Sequence, residues 1–157
     1  MKCTTIRSPI GELMLAGDER GLARLEMYPF SIDAAWERDD DHFVDVSRQL
    51  GEYFAADRRE FELKLALAGN KFELAVWAAL LEIPYGETVS YGGIARGIGH
   101  PDAPRAVGVA NGRNPVAVIV PCHRVIGADG SLTGYGGGLD RKRFLLELES
   151  GVLPLSA

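Results

Sequence analysis

The sequence predicts a small α/β N-terminal domain followed by a mostly helical C-terminal domain that carries a helix-turn-helix. Three observations predict it. Short runs of alternating apolar and polar side chains fill the first half, as half-buried strands do. Past Ala68-Gly69-Asn70 the apolar residues recur at helical spacing instead. Between Ser90 and Arg113, two short helical patterns are separated by a turn at Gly99-His100-Pro101. We therefore divide the chain into residues 1–68, a support domain, and residues 69–157, which hold whatever chemistry the protein has.

In the first domain, "TTIRSPIGELMLAG" places a turn at Pro9-Ile10-Gly11 between two strands, and "GLARLEMY" follows as a third, giving an antiparallel sheet. In "DDDHFVDVSRQLGEYFAA", Phe43, Val46, Leu50, Tyr53 and Phe54 share a helical face. The three aspartates ahead of them suit the positive end of a helix dipole. "FELKLAL" alternates Phe61, Leu63, Leu65 and Leu67 on one side, which predicts a further strand. His42 sits in the acidic run and is expected in solvent; no residue of this half has catalytic spacing.

The second domain opens with "NKFELAVWAALLEI", a helix with Asn70 as N-cap and Phe72, Ala75, Val76, Ala79 and Leu80 inward. "SYGGIARGIG" is a short helix capped by Ser90. "DAPRAVGVANGR" is another, with Asp102 as N-cap and Pro104 in its first turn. Its small residues Ala106, Gly108, Ala110 and Gly112 permit close backbone approach, whether to a neighbouring helix or to a nucleic acid. "PVAVIV" reads as an apolar strand stopped by Pro121. "GADGSLTGYGGG" is a glycine-rich loop without the spacing of a nucleotide-phosphate site, better suited to closing over a flat ligand. "DRKRFLLELES" is a terminal helix with Phe144, Leu145 and Leu148 inward.

Bulk properties exclude several classes. With 46% hydrophobic and 25% charged residues the chain is that of a globular protein, and no apolar run is long enough for a membrane span. Met1-Lys2-Cys3 runs directly into strand-like sequence, so we expect no signal peptide and a reduced, cytoplasmic protein. Two cysteines far apart make neither a disulfide framework nor a zinc site, so no metal or cofactor is expected. The net charge of −5 argues against a nucleic-acid partner only until it is divided. Residues 1–69 hold nine basic against fourteen acidic side chains, whereas residues 90–143 hold seven against three, a local surplus that suits a phosphate backbone.

The chemistry centres on "IVPCHRV". A free thiol is only a few per cent thiolate at neutral pH, and a neutral histidine oriented by a carboxylate raises that fraction. His123 adjoins Cys122, but neighbours in an extended segment point apart, so their cooperation requires a turn at Pro121 or a bridging water. Glu147 and Glu149 on the terminal helix are both candidates for the carboxylate. On these grounds alone, a reactive thiol and a merely structural one stand level.

Taken together, "IPYGETVSYGGIA", "PRAVGVANGRNPV", "IVPCHRVIG" and "TGYGGGLDRKRFLLELE" resemble, in order and spacing, the O6-alkylguanine-DNA alkyltransferases of bacterial type, which repair DNA by accepting the alkyl group themselves. The resemblance covers about half the chain. It implies a ribonuclease-H-like first domain and a winged-helix-like second one. The activity implied is direct, irreversible, single-turnover transfer from O6-alkylguanine, and from O4-alkylthymine, to Cys122. By resemblance, His123 takes the thiol proton through a water, Glu149 holds the imidazole, Asn114 braces the turn, and Tyr91 crowds the flipped nucleotide and donates a proton to the leaving base. Arg105 fills the gap in the base stack, with Ala106 and Gly108 entering the minor groove. Val125 and Cys122 offer backbone hydrogen bonds to the base, and the loop from Tyr135 through Gly136 and Gly137 to Gly138 encloses it. The implied partner is double-stranded DNA bearing the lesion, bound by a monomer, with cooperativity on DNA left open; no membrane is involved.

Some positions depart from the family. Gly136 stands where several members carry a hydroxyl residue, and Ala117 where some have proline; both enlarge the pocket and imply tolerance of alkyl groups larger than methyl. Glu73 replaces the usual glutamine, and the sequence gives it no effect. Three rival readings remain. A sensor of alkylated DNA of the alkyltransferase-like kind carries another residue where this chain has Cys122. A helix-turn-helix regulator leaves the Cys-His-Glu positions unexplained. A cysteine hydrolase needs an oxyanion hole that the sequence does not offer.

Overall fold

The computed structural model describes residues 1–151; residues 152–157, the end of the expected second domain, lie outside the described part. The chain forms two compact units. Among the described residues, one comprises Met1–Leu67 with Pro115–Ala117, the other Ala68–Asn114 with Val118–Gly151.

In the first unit, β1 (Lys2–Ile6), β2 (Leu13–Asp18), β3 (Gly21–Met27) and the short β4 (Glu37–Arg38) form a sheet in the order β3-β2-β1-β4. The β1–β2 and β2–β3 pairs are antiparallel, as the turn chemistry predicts. β4, reached by a long connection rather than a hairpin, runs parallel to β1, so the sheet is mixed. Leu13, Met14, Leu15 and Ala16 are all buried, which covers the central strand β2 on both faces. At the bulge beside Ala16 a Cβ on Gly17 would come within 2.5 Å of the Gly21 carbonyl oxygen, so only glycine fits. The aspartates act slightly earlier than predicted. Asp39 caps a 3-10 turn (Asp40–Phe43), accepting a hydrogen bond from the His42 N–H, and this turn leads into α1 (Val44–Phe54) with Phe43, Leu50 and Tyr53 buried.

Two predicted strands do not form. Over residues 61–67 the burial alternates, but only Leu65 bridges to Leu22, through Leu22 N–H to Lys64 O and Ala66 N–H to Leu22 O, each 2.9 Å. The apolar run 115–121 is a chain of turns, of which only Val116 bridges, to Leu25. Both segments satisfy single positions of β3 without a ladder, the first with its apolar side chains half-buried and the second with most of its side chains buried. Apolar character reports burial, and burial does not require a strand.

In the second unit, α2 (Lys71–Leu81) begins at Asn70, whose side chain accepts from the Glu73 N–H while the Glu73 carboxylate accepts from the Asn70 N–H. This reciprocal cap is the role of Glu73 that the sequence reading left blank. The inward face is Val76, Trp77 and Leu80, with Ala75 exposed, and the Trp77 indole donates to the Ala110 carbonyl at 2.9 Å. β5 (Val89–Ser90) precedes α3 (Tyr91–Gly97), which Ser90 caps as expected. After a turn comes α4 (Pro104–Gly112), with Pro104 in its first turn. Its N-cap is Ala103 and carries no side-chain bond; Asp102 lies one residue outside and is exposed, so it caps nothing. β6 (Val125–Ile126) pairs in parallel with β5, and α5 (Leu139–Ser150) ends at Gly151 in the left-handed conformation.

Candidate active site

Cys122, His123 and Arg124 form a single 3-10 turn after Pro121, which has φ −82° and ψ 64°. The turn replaces the extended segment in which neighbouring side chains would diverge, and it allows three consecutive side chains to serve one site. Its entry is strained: Val118 adopts φ 71°, a left-handed conformation that a β-branched residue rarely takes. The last turn of α4 and the residues just past its end brace it. Asn114 Nδ2 donates to the Val120 carbonyl at 2.7 Å, and Asn111 Nδ2 to the Cys122 carbonyl at 3.3 Å. The sequence reading named Asn114 and missed Asn111, one helical turn earlier.

A compact ionic cluster lies behind the thiol. His123 Nε2 is 2.7 Å from Glu149 Oε2, and both side chains are almost wholly excluded from solvent. Arg124 grips the same carboxylate with two donors, Nε to Oε1 at 2.7 Å and Nη2 to Oε2 at 2.9 Å. Its Nη1 donates to the Ile83 carbonyl at 2.7 Å, and its guanidinium lies 5.7 Å from the centre of the Tyr85 ring. Burial works against ionisation of Glu149, but the hydrogen bonds from His123 and Arg124 outweigh it and hold the carboxyl down to about 2. An ionised carboxylate only accepts, so the His123 proton sits on Nε2 and the Nδ1 lone pair is left open. Nδ1 is buried and has no hydrogen-bond partner within the described residues. Burial, with Arg124 and Lys142 adding to it and Glu149 opposing, lowers the imidazole below its ordinary range, so the ring rests neutral.

The thiol departs from the expectation of a raised thiolate fraction. Burial pushes Cys122 up, against smaller opposing contributions from an Asn114 hydrogen bond and from the Lys142 ammonium, so the resting group is S–H. Tyr135 couples electrostatically to this thiol, although its hydroxyl has no partner of ordinary hydrogen-bond geometry. Lys142, one of the seven basic residues whose surplus suited a phosphate backbone, is instead fully buried, with Nζ donating to the Val125 carbonyl at 2.6 Å and the Thr133 carbonyl at 2.8 Å. It ties the middle of the glycine-rich loop, at Thr133, to Val125 of the strand before it.

A cavity of about 550 Å³ is lined by Tyr91, Pro104, Arg105, Gly108, Gly112, Thr133, Gly134, Tyr135 and Gly136. Tyr91 exchanges a hydrogen bond with the Thr133 hydroxyl at 3.1 Å, and a Cβ on Gly108 would stand 3.8 Å from the Tyr91 ring. Arg105 and Ala106 are exposed on α4. The small residues of α4 do not share a face: Ala110 is buried under Trp77, Gly108 is half-buried and Ala106 and Gly112 are exposed, because a spacing of two turns a helix through more than half a circle. Of the predicted pocket residues, Tyr135 and Gly136 line the cavity; Gly137 and the wholly buried Val125 do not. Ala117 belongs to the first unit, its N–H donating to Leu25 O, and is absent from the lining. Among the described residues, no cluster of His, Cys, Asp or Glu is arranged to hold a metal, and no helix is long and apolar enough to cross a membrane.

A helix-turn-helix unit that buries a thiol, an imidazole and a carboxylate beside an open cavity defines a class, a DNA-binding-type fold carrying a nucleophilic cysteine. Comparison with known proteins narrows it. The family description "6-O-methylguanine DNA methyltransferase, ribonuclease-like domain" matches residues 1–67, and "6-O-methylguanine DNA methyltransferase, DNA binding domain" matches residues 71–151. The chain is 54% identical to the methylated-DNA–protein-cysteine methyltransferase of Methanosarcina acetivorans, over 90% of this chain and 94% of that one. It is 55% identical to that of Mycobacterium tuberculosis, over 96% and 93%. The crystal structure of Mycobacterium tuberculosis OGT in complex with DNA superposes with a TM-score of 0.93 at 54% identity, covering 98% of this chain and 96% of that one. The enzyme from the archaeon Pyrococcus kodakaraensis superposes with a TM-score of 0.63 at 26% identity, covering 94% and 98%. The chain belongs to the 6-O-methylguanine DNA methyltransferase family.

Proposed function

We propose that the protein repairs alkylated DNA by moving the alkyl group of O6-alkylguanine, and of O4-alkylthymine, onto Cys122, one group per molecule. The observation that carries this is the buried Cys122 thiol on one turn with His123, whose open Nδ1 is backed by Glu149. The thiol sulfur attacks the alkyl carbon in line as the C–O6 bond breaks, and that bond's electron pair stays on the base. The thiol proton passes to His123 Nδ1, through a water. The base, left anionic, regains one proton, with Tyr91 at the cavity mouth as donor. A thioether does not hydrolyse, so the protein is consumed.

Reaching the target atom requires the nucleotide to leave the duplex, at a cost of a few kcal/mol. Arg105, exposed at the start of α4 and lining the cavity, fills the gap left in the stack, while Ala106 and Gly108 allow α4 into the minor groove. The second unit then acts as the DNA-binding and acceptor domain and the first as its support. Gly136 lines the cavity without a side chain, which leaves room for bulky alkyl groups. Benzyl transfer comparable to methyl transfer is expected; much slower benzyl transfer would count against this extension.

The test is the intact mass of the protein after incubation with a duplex carrying one O6-methylguanine, beside Cys122→Ala. A gain of one methyl group, absent from the variant, is the expected outcome. Binding of the damaged duplex with no mass change would instead make the protein a sensor of damage.

A further inference from the structure

Arg124 lies outside the relay just described, yet it takes more of Glu149 than His123 does. Two guanidinium donors occupy both carboxylate oxygens, and the imidazole shares Oε2 with one of them. In a buried His–Glu pair alone, the unshared negative charge would draw a second proton onto the ring. Here that charge is already matched by a fixed cation, so a charged His123 would face Arg124 with no net counter-charge. The other group bearing on the ring is Lys142 on α5, which adds to the positive field, and Cys122, which is neutral at rest.

We propose that Arg124 is a positioning residue of the proton relay: by holding both oxygens of Glu149 it keeps the His123 ring neutral, with Nδ1 able to accept the thiol proton but unable to keep it. The inference rests on the alkyl-transfer reading. In the reaction the S–H and C–O6 bonds break, the S–C bond forms, Tyr91 gives its proton to the base anion, and the thiol proton leaves the ring through water to replace the one Tyr91 gave, so the transfer needs no further reactant. At rest the same arrangement disfavours a thiolate–imidazolium pair. The nucleophile is released only when an alkylated base is in place, which protects a single-use protein from stray electrophiles.

Nuclear magnetic resonance of the imidazole nitrogens in the wild-type protein decides the resting state without any variant. The Nε2–H neutral form should persist from about pH 8 to below the ordinary histidine midpoint of about 6.5; a ring charged at neutral pH would overturn the proposal. Arg124→Met and Arg124→Lys then separate charge from packing, because both lose the fork and only the first loses the cation. In Arg124→Met the His123 midpoint and the acid limb of methyl transfer should rise together by about one pH unit, a tenfold loss of rate below that limb. In Arg124→Lys both should stay near wild type even where transfer is slower. Equal profiles in the two variants, or an unmoved midpoint in Arg124→Met, would reduce Arg124 to a packing role. If Arg124→Met does not fold, Arg124→Gln, which also removes the cation, takes its place in the comparison with Arg124→Lys. A wild type that gains no methyl group would sink the alkyl-transfer reading itself, and the difference in His123 midpoint between the variants reports on Arg124 independently of that.

Discussion

The two units handle charge in opposite ways. In the first, ion pairs such as Lys2–Asp39, Arg20–Asp18 and Arg38–Asp40 lie at the surface, where water screens them and either partner can be solvated alone. In the second, Arg124 and Glu149 are buried against a neutral His123, and Lys142 is buried on two carbonyls. Burying charge costs several kcal/mol per ion before any attraction is counted, and an apolar cluster of the same volume is often more stable. Stability is therefore not the reason for the second arrangement. On the proposed alkyl transfer its purpose is chemical: the Glu149 carboxylate fixes the tautomer of the His123 ring beside the thiol.

The largest expected effect comes from breaking the buried cluster. Glu149→Leu leaves Arg124 buried without its counter-ion and should cost about 3–5 kcal/mol in denaturant unfolding, besides abolishing methyl transfer. Asp39→Asn, the surface counterpart, should leave the unfolding midpoint within experimental scatter. Equal losses in the two variants would erase the contrast between the units.

The same contrast has a pH form. The folded Glu149 carboxyl is held at about 2, below its ordinary 4.5, so its contribution to stability is complete above 4.5 and is lost as pH falls toward 2. His123, lowered by burial, acts in the same direction from its ordinary value downward, because the unfolded ring gains a proton that the folded one refuses. Acid unfolding of the wild type should be steep across this window, and Glu149→Gln should flatten its lower part.

A smaller effect is expected at Lys142. Lys142→Met removes the donor to Val125 O and Thr133 O while relieving a buried charge, leaving a net loss of about 1–3 kcal/mol. Amide hydrogen exchange should speed up selectively in residues 127–138 while α2 stays protected.

What the sequence made legible follows the same division. Cys122 beside His123, the Ser90 cap and the helix pair depend on local patterns, and local patterns were readable. Arg124 and Lys142 were not, because both residue types default to the surface and only tertiary packing buries them. Nor was the turn around Val118, since no propensity places a β-branched residue at positive φ. "PVAVIV" and "FELKLAL" misled because their apolar character reports burial and says nothing of a ladder. Ala117 was assigned to the pocket by analogy with relatives, and its backbone instead joins β3.

Glu73 is the instructive exception, because its role was legible and was missed. Asn-Lys-Phe-Glu has the spacing of a capping box, with a side-chain acceptor at the cap and a carboxylate three residues on. It satisfies two orphan N–H groups at the start of α2, and α2 sets Trp77 against Ala110 on α4, the helix whose asparagines brace the Cys122 turn. Asn70→Ala should therefore cost about 1 kcal/mol, the smallest of these effects. Glu73→Gln keeps an acceptor for the Asn70 N–H and should cost less than Asn70→Ala. If the box serves only α2, methyl-transfer rates in Asn70→Ala will match wild type well below the unfolding temperature. A slower rate with the fold intact would mean that the cap reaches the thiol through α4, and that even a surface feature of this unit is tied to its buried chemistry.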